Sequence, residues 1–177
     1  MSAHGLSCLS EQPAIFVGEV PRAQPLNRRL LRQFLATAAG AEVKRSHFFA
    51  GRYENLYVGY DQVPAASPVL DQVRLWAAGI LDRDPVRMRL GFWFNLMEPG
   101  QRTLPHTHDE GGELLSAVYY VRVPPHSGSL KLRPKSGDIL VRPREGMALL
   151  FPPDLEHEVT ENLSRGQRLS LAINIGT

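Results

Sequence analysis

From Asp84 onward the chain is a series of short runs of β-branched, aromatic and aliphatic residues: Val86–Met97, Leu114–Val123, Leu130–Arg133, Asp138–Val141, Met147–Phe151, Glu156–Thr160 and Gln167–Ile175. Turn formers separate them, among them Glu98-Pro99-Gly100 and Pro124-Pro125-His126-Ser127-Gly128. Runs this short, punctuated this often, cannot propagate helices and read as strands, and strands in such number close on one another as a sandwich or barrel. With 177 residues, 43% of them hydrophobic, the chain can bury a core without staples, and one domain is expected.

The first half is patterned differently. Leu26, Leu30, Leu31, Phe34, Leu35 and Ala38 recur at helical spacing, Arg28, Arg29 and Arg32 fall off that face, and Gly40 offers a stop. A second helix is predicted to open with Ser67 as N-cap and Pro68 at the first helical position, with Leu70, Val73, Trp76, Ala77, Ile80 and Leu81 on its apolar side. Between them, Phe48 to Tyr60 fits one or two short strands, with Gly51 and Asp61 as turn residues. The apolar faces of both helices need a partner, and the outside of one sheet supplies it.

Charge and cysteine content narrow the function classes. Twenty Lys and Arg against eighteen Asp and Glu leave a net charge of +2, with the basic residues scattered, so no nucleic acid partner is expected. Cys8 is the single cysteine, so no intramolecular disulfide forms; it lies in a polar leader, and a cytoplasmic location is expected. Met1 to Pro13 lacks a basic segment followed by an apolar run, and no stretch approaches 18 apolar residues, so neither export nor a membrane span is expected.

The last run has two unlike faces. Side chains alternate across a strand, so Leu169, Leu171, Ile173 and Ile175 share an apolar face while Arg168, Ser170, Ala172 and Asn174 share a polar one. A solvated edge strand would look the same. Upstream, however, His106-Thr107-His108 follows Pro105. In extended chain its two imidazoles point the same way and suit a transition metal, although two surface histidines in a polar loop would also explain them. His157 follows an apolar run and the Pro152-Pro153 turn, at the start of a returning strand. Arg168, on a strand face turned into a small barrel, needs an anion, since an unpaired buried guanidinium costs several kcal/mol; a carboxylate ligand is its natural partner.

In order and spacing, His106-x-His108, the Leu115-to-Val121 strand with Tyr120, Gly146 through Pro153, and His157 with ten residues before Arg168-x-Ser170 resemble the Fe(II)/2-oxoglutarate-dependent oxygenases, most closely a small bacterial and phage branch. The resemblance runs from about Phe92 to Gly176. It implies a mainly β (α+β) chain: a double-stranded β-helix, or jelly-roll, over 86–177, buttressed by a helical layer over 1–85. It implies that His106 and His157 ligate Fe(II). It also implies that Arg168 pairs with the distal carboxylate of 2-oxoglutarate, with hydroxyls from Ser170 and Tyr120 nearby. The activity implied is hydroxylation of a small molecule or peptide with O2, with oxidative decarboxylation of 2-oxoglutarate to succinate.

The chain departs from the family's usual His-x-Asp or His-x-Glu. His108 stands where the carboxylate belongs, so the third ligand is His108 itself, favoured by its geometry, or Asp109, Glu110 or Glu113, or water. A cupin metalloprotein that does not use 2-oxoglutarate, such as a three-histidine dioxygenase or isomerase, fits the spacing less well, because Asp154 and Tyr120 replace motif glycines and Arg168 is left without a role. A non-catalytic binding barrel is the remaining alternative. Trp93, Phe92 and Phe94 read as packing residues, with Asn95 and Met97 nearer the pocket mouth; His4, His47 and His126 read as solvent-facing or locally bonded. Tyr53, Tyr57, Trp93 and Arg102 are candidates to face the substrate, and exposed strand edges fit a homodimer.

Overall fold

The computed structural model describes residues 5–38, 40, 43–49, 52–108 and 111–177. Twelve strands run in chain order: Leu6–Glu11 (β1), Ala14–Glu19 (β2), Lys44–Phe49 (β3), Arg52–Tyr57 (β4), Arg89–Met97 (β5), Thr103–His106 (β6), Leu115–Arg122 (β7), Leu130–Leu132 (β8), Ile139–Val141 (β9), Met147–Phe151 (β10), His157–Val159 (β11) and Arg168–Gly176 (β12). They form an eight-stranded sheet, ordered β1-β2-β10-β7-β12-β5-β4-β3, and a four-stranded sheet, ordered β6-β11-β8-β9. Every pairing is antiparallel. Two antiparallel sheets facing one another, with helices outside the larger, make a double-stranded β-helix of the expected kind.

The large sheet is covered on both faces, which explains why its central strands carry so little polar residue. On β12, Leu169, Leu171, Ile173 and Ile175 are fully buried in the core that also holds the two helices, while Arg168 and Ser170 face the small sheet. In β10 every residue is buried: Ala148 and Leu150 join the helix-side core, and Met147, Leu149 and Phe151 pack with Leu130, Leu132 and Tyr120 between the sheets. Alternation alone divides each strand between two cores.

Helix α1 spans Ala23–Ala38 and buries Asn27, Leu30 and Phe34, with the Phe34 ring 4.7 Å from that of Phe94. The stripe is narrower than the spacing predicts, since Leu35 is 45% exposed. Helix α2 covers Ser67–Leu81 and buries Leu70, Val73, Trp76 and Ala77. Ser67 is not its cap. A 3-10 turn at Pro64–Ala66 leads straight in, so Ala66 is the N-cap and is already helical, and Ser67 is the first helical residue. The helix ends at Leu81, with Asp82 as its C-cap in the left-handed region; a short Asp side chain tolerates that conformation.

The first half also contains strands. The segment read as a polar leader is β1, with Cys8 exposed on it, and β2 pairs with β10 to extend the large sheet. At the other edge β4 falls within the Phe48–Tyr60 stretch expected to hold one or two strands, whereas β3 starts at Lys44, ahead of it; Gly51 lies outside the described residues. No helix among the described residues is long and apolar enough to cross a membrane.

Candidate metal and cosubstrate site

His106 ends β6 and His157 begins β11, and in this antiparallel pair the two are direct Cα partners. Opposed residues project to the same face, and the ring centres lie 4.3 Å apart. His108 adds a third ring, 4.9 Å from His106 and 5.1 Å from His157. Its backbone N–H donates to the Pro153 carbonyl at 2.7 Å, so the Pro-Pro turn that delivers His157 also fixes the far end of the His-Thr-His segment. One nitrogen from each ring lies within 4.8 Å of the others. Metal–nitrogen bonds of about 2.1 Å close that spread with small ring movements.

Protonation suits the same use. His106 Nδ1 donates to Leu104 O at 2.8 Å and His157 Nδ1 donates to Leu155 O at 2.9 Å. A carbonyl only accepts, so the proton sits on Nδ1 and the Nε2 lone pair is left for a metal. Burial, reinforced by the neighbouring His106 and His108, drives His157 down to about 3, with the bond to Leu155 opposing. It is neutral at physiological pH, as a ligand must be.

The polar face of β12 floors the same cavity. Arg168 is 1% exposed, and its Nη1 donates to the carbonyls of Ser127 and Gly128 at 3.3 and 3.1 Å. Among the described residues its Nε has no partner and no carboxylate pairs with it. Its guanidinium carbon lies 5.3 Å from the centre of the Tyr120 ring. The Tyr120 hydroxyl is buried without a partner and is pushed up to about 12 by burial, which the Arg168 charge opposes, so it stays a hydrogen-bond donor. Ser170 is 5% exposed and lines the cavity beside them. A buried cation and a hydroxyl with unused donors fit a carboxylate, and three imidazole nitrogens fit a transition metal such as Fe(II). The loop holding Arg168 depends on Gly128, which has φ +89° and where a Cβ would run into the Thr160 carbonyl oxygen.

The carboxylates proposed as alternatives to His108 divide. Asp109 and Glu110 lie outside the described residues. Glu113 accepts from the Gly111 N–H at 2.8 Å and from Asn174 Nδ2 at 3.1 Å, and it is not part of the histidine cluster. Of the remaining histidines, His4 is outside the described residues, His126 sits in a loop at φ +63°, and His47 Nδ1 is bonded to Ser46 and Asn55 at 2.8 and 3.0 Å.

An outer cavity of about 690 Å3 opens onto His106 and His108, walled by β3 and β4. Tyr57 and Trp93 line it; Tyr53 and Arg102 do not. Phe94 packs as expected, but Trp93 faces the site, with its ring 5.4 Å from that of His108. The signal was its parity with Asn95 on β5, opposite Ala172 on the polar face of β12. Ser116, which the sequence reading missed, shares parity with Tyr120 on β7 and lines the inner cavity.

Residues 92–176 match the sequence model of the 2OG-Fe(II) oxygenase superfamily, and no curated protein sequence matches the chain. A crystal structure of a Pseudomonas putida prolyl-4-hydroxylase is similar over 92% of this chain and 92% of its own, at 20% identity and a TM-score of 0.74. A Trichoplax adhaerens prolyl hydroxylase, in complex with a hypoxia inducible factor peptide fragment, is similar over 94% of this chain and 84% of its own, at 14% identity and a TM-score of 0.73. The epimerase SnoN, in complex with Fe3+, alpha ketoglutarate and nogalamycin RO, is similar over 90% and 78%, at 17% identity and a TM-score of 0.69. These likenesses show a common fold. The sequence match carries the activity and favours an oxygenase over a cupin: residues 92–176 are similar to the 2OG-Fe(II) oxygenase superfamily, and the protein is a 2OG/Fe(II)-dependent oxygenase.

Proposed function

We propose that His106, His108 and His157 hold Fe(II), that Arg168 with Tyr120 and Ser170 anchors 2-oxoglutarate, and that the chain hydroxylates a small molecule or peptide entering through the outer cavity. The observation that carries this reading is Arg168: a guanidinium 1% exposed, without an acidic partner among the described residues, in the cavity that contains the three histidines. Bound iron and 2-oxoglutarate supply O2 activation, one oxygen atom going to the substrate C–H and the other to succinate as CO2 leaves. The chain's own residues do the placing. Leu104 and Leu155 carbonyls fix the ligand rings, Ser127 and Gly128 carbonyls aim the guanidinium, and the packed inner face excludes water.

In this reading both halves of the chain act as one domain, because β3 and β4 wall the mouth of a site built on β6, β7, β11 and β12. The lone exposed Cys8 suits a reducing cytoplasm, and the β3 edge offers a surface for a homodimer. The test is succinate formation from 2-oxoglutarate by the Fe(II)-loaded chain. His157→Ala is expected to abolish metal binding. Arg168→Ala is expected to retain metal and weaken 2-oxoglutarate binding at least thirtyfold, as truncating one partner of a buried charge pair does. Wild-type protein that binds Fe(II) but neither binds nor decarboxylates 2-oxoglutarate overturns the proposal.

A further inference from the structure

Beyond the atoms facing Arg168, a second group of buried polar atoms has no partner among the described residues: Trp93 Nε1, Ser116 Oγ and Asn174 Oδ1. Strand register brings them together. On β12, Ala172 is opposite Trp93 of β5 on one side and Val118 of β7 on the other, and Asn174 is opposite Ser116. All three residues line the inner cavity, and Trp93 and Asn174 also line the outer one. From Ser116 to Tyr120 is four residues of strand, about 13 Å, so the group stands at the end of the floor away from Arg168, where the outer cavity begins.

The hydrogen-bonding sense of the group is fixed. An indole N–H only donates. Glu113, itself held by the Gly111 N–H, is acceptor-only as a carboxylate, so Asn174 turns its NH2 to it at 3.1 Å and its carbonyl oxygen is left as an acceptor. Ser116 can do either. Charge selects further: no lysine or arginine among the described residues lines the outer cavity, whereas Glu54 and Glu113 do, and Phe48, Phe49 and Tyr57 supply aromatic wall. A substrate carboxylate or phosphate would lose its hydration there without gaining a lysine or arginine to pair with.

We infer that Trp93, Ser116 and Asn174 form the recognition point for the substrate to be oxidised, and that this substrate is uncharged there and presents an amide-type pair, one N–H and one C=O. This rests on the oxygenase reading above. It selects an amide or peptide-linked group over a free amino acid or other carboxylate.

The test uses the full chain with Fe(II) and 2-oxoglutarate, kept anaerobic, and two probes that differ only at the terminal group, a neutral amide with N–H donors against a charged, acceptor-only carboxylate: N-acetyl-L-phenylalaninamide and N-acetyl-L-phenylalanine. Binding is followed by ligand-observed NMR titration. The amide is expected to bind at least tenfold more tightly than the carboxylate. Asn174→Leu is expected to weaken the amide about tenfold, the scale of a lost buried hydrogen bond. Ser116→Ala, which removes one oxygen from a packed position, is expected to weaken it about threefold and carries the test if Asn174→Leu does not fold. Equal or tighter binding of the carboxylate, no binding of either probe, or amide binding that neither variant changes overturns the inference. Aerobic succinate formation without probe is measured alongside: its absence overturns the oxygenase reading, whereas its presence with any of those binding results overturns this inference alone.

Discussion

His157 pairs a buried position with an ionisable ring, and the consequence is a pH dependence with a definite sign. Its folded value, about 3, lies below the ordinary histidine value of 6.5. Between those limits the unfolded chain binds a proton that the folded chain refuses. Stability therefore falls as pH drops through 6.5 toward 3 and flattens below. The urea midpoint of chelator-treated protein, measured from pH 7.5 to 5, is expected to decline, and His157→Leu to reduce that decline. At this scale much was legible. His106, His108, His157, Arg168, Ser170 and Tyr120 all line one cavity, because motif spacing and strand parity survive in the sequence. Trp93 was legible only ambiguously, as packing residue and as one of four candidates to face the substrate, since an aromatic in an apolar run looks the same whichever sheet face it takes. The carbonyls of Ser127 and Gly128 that aim Arg168 leave no trace in side-chain identity.

Among elements, the strongly patterned ones were readable and the short edge strands were not. β10 falls on Met147–Phe151 as predicted, and β5, β7 and β12 lie within a few residues of their runs. β6 is four residues long and contains Pro105, which only a sheet edge tolerates; β1 is mostly exposed, so its composition reads as loop. How α1 is seated could not be read from the sequence either. Asn27, 4% exposed, accepts from Tyr119 Oη at 2.6 Å and donates to the Tyr120 carbonyl at 3.3 Å. A polar residue on an apolar stripe gives no hint that its partner lies on a distant strand. Tyr119→Phe leaves the Asn27 oxygen buried and unpaired and is expected to cost about 1–3 kcal/mol in urea unfolding. Asn27→Leu with Tyr119→Phe should recover part of it.

For the molecule as a whole, the division of the site between sheets matters. In the proposed arrangement two of the metal ligands stand on the small sheet, at β6 and β11, while the cosubstrate anchor stands on the large one, at β7 and β12. Metal alone ties together neighbours within one sheet; metal with 2-oxoglutarate bridges both. Thermal unfolding is expected to rise modestly with Mn(II) as a redox-stable stand-in and further with 2-oxoglutarate added. Arg168→Ala should remove the second increment and keep the first.

The placement of β2 bears on how such a chain is made. Ala14–Glu19 leaves the ribosome well before its partner across the sheet, Met147–Phe151, which follows more than a hundred residues later. The opening hairpin cannot dock until most of the polypeptide has emerged, and through that interval Ile15, which ends at 0% exposure, has no place to hide. Vectorial synthesis therefore makes a segment translated well ahead of its partner one of the last to be secured.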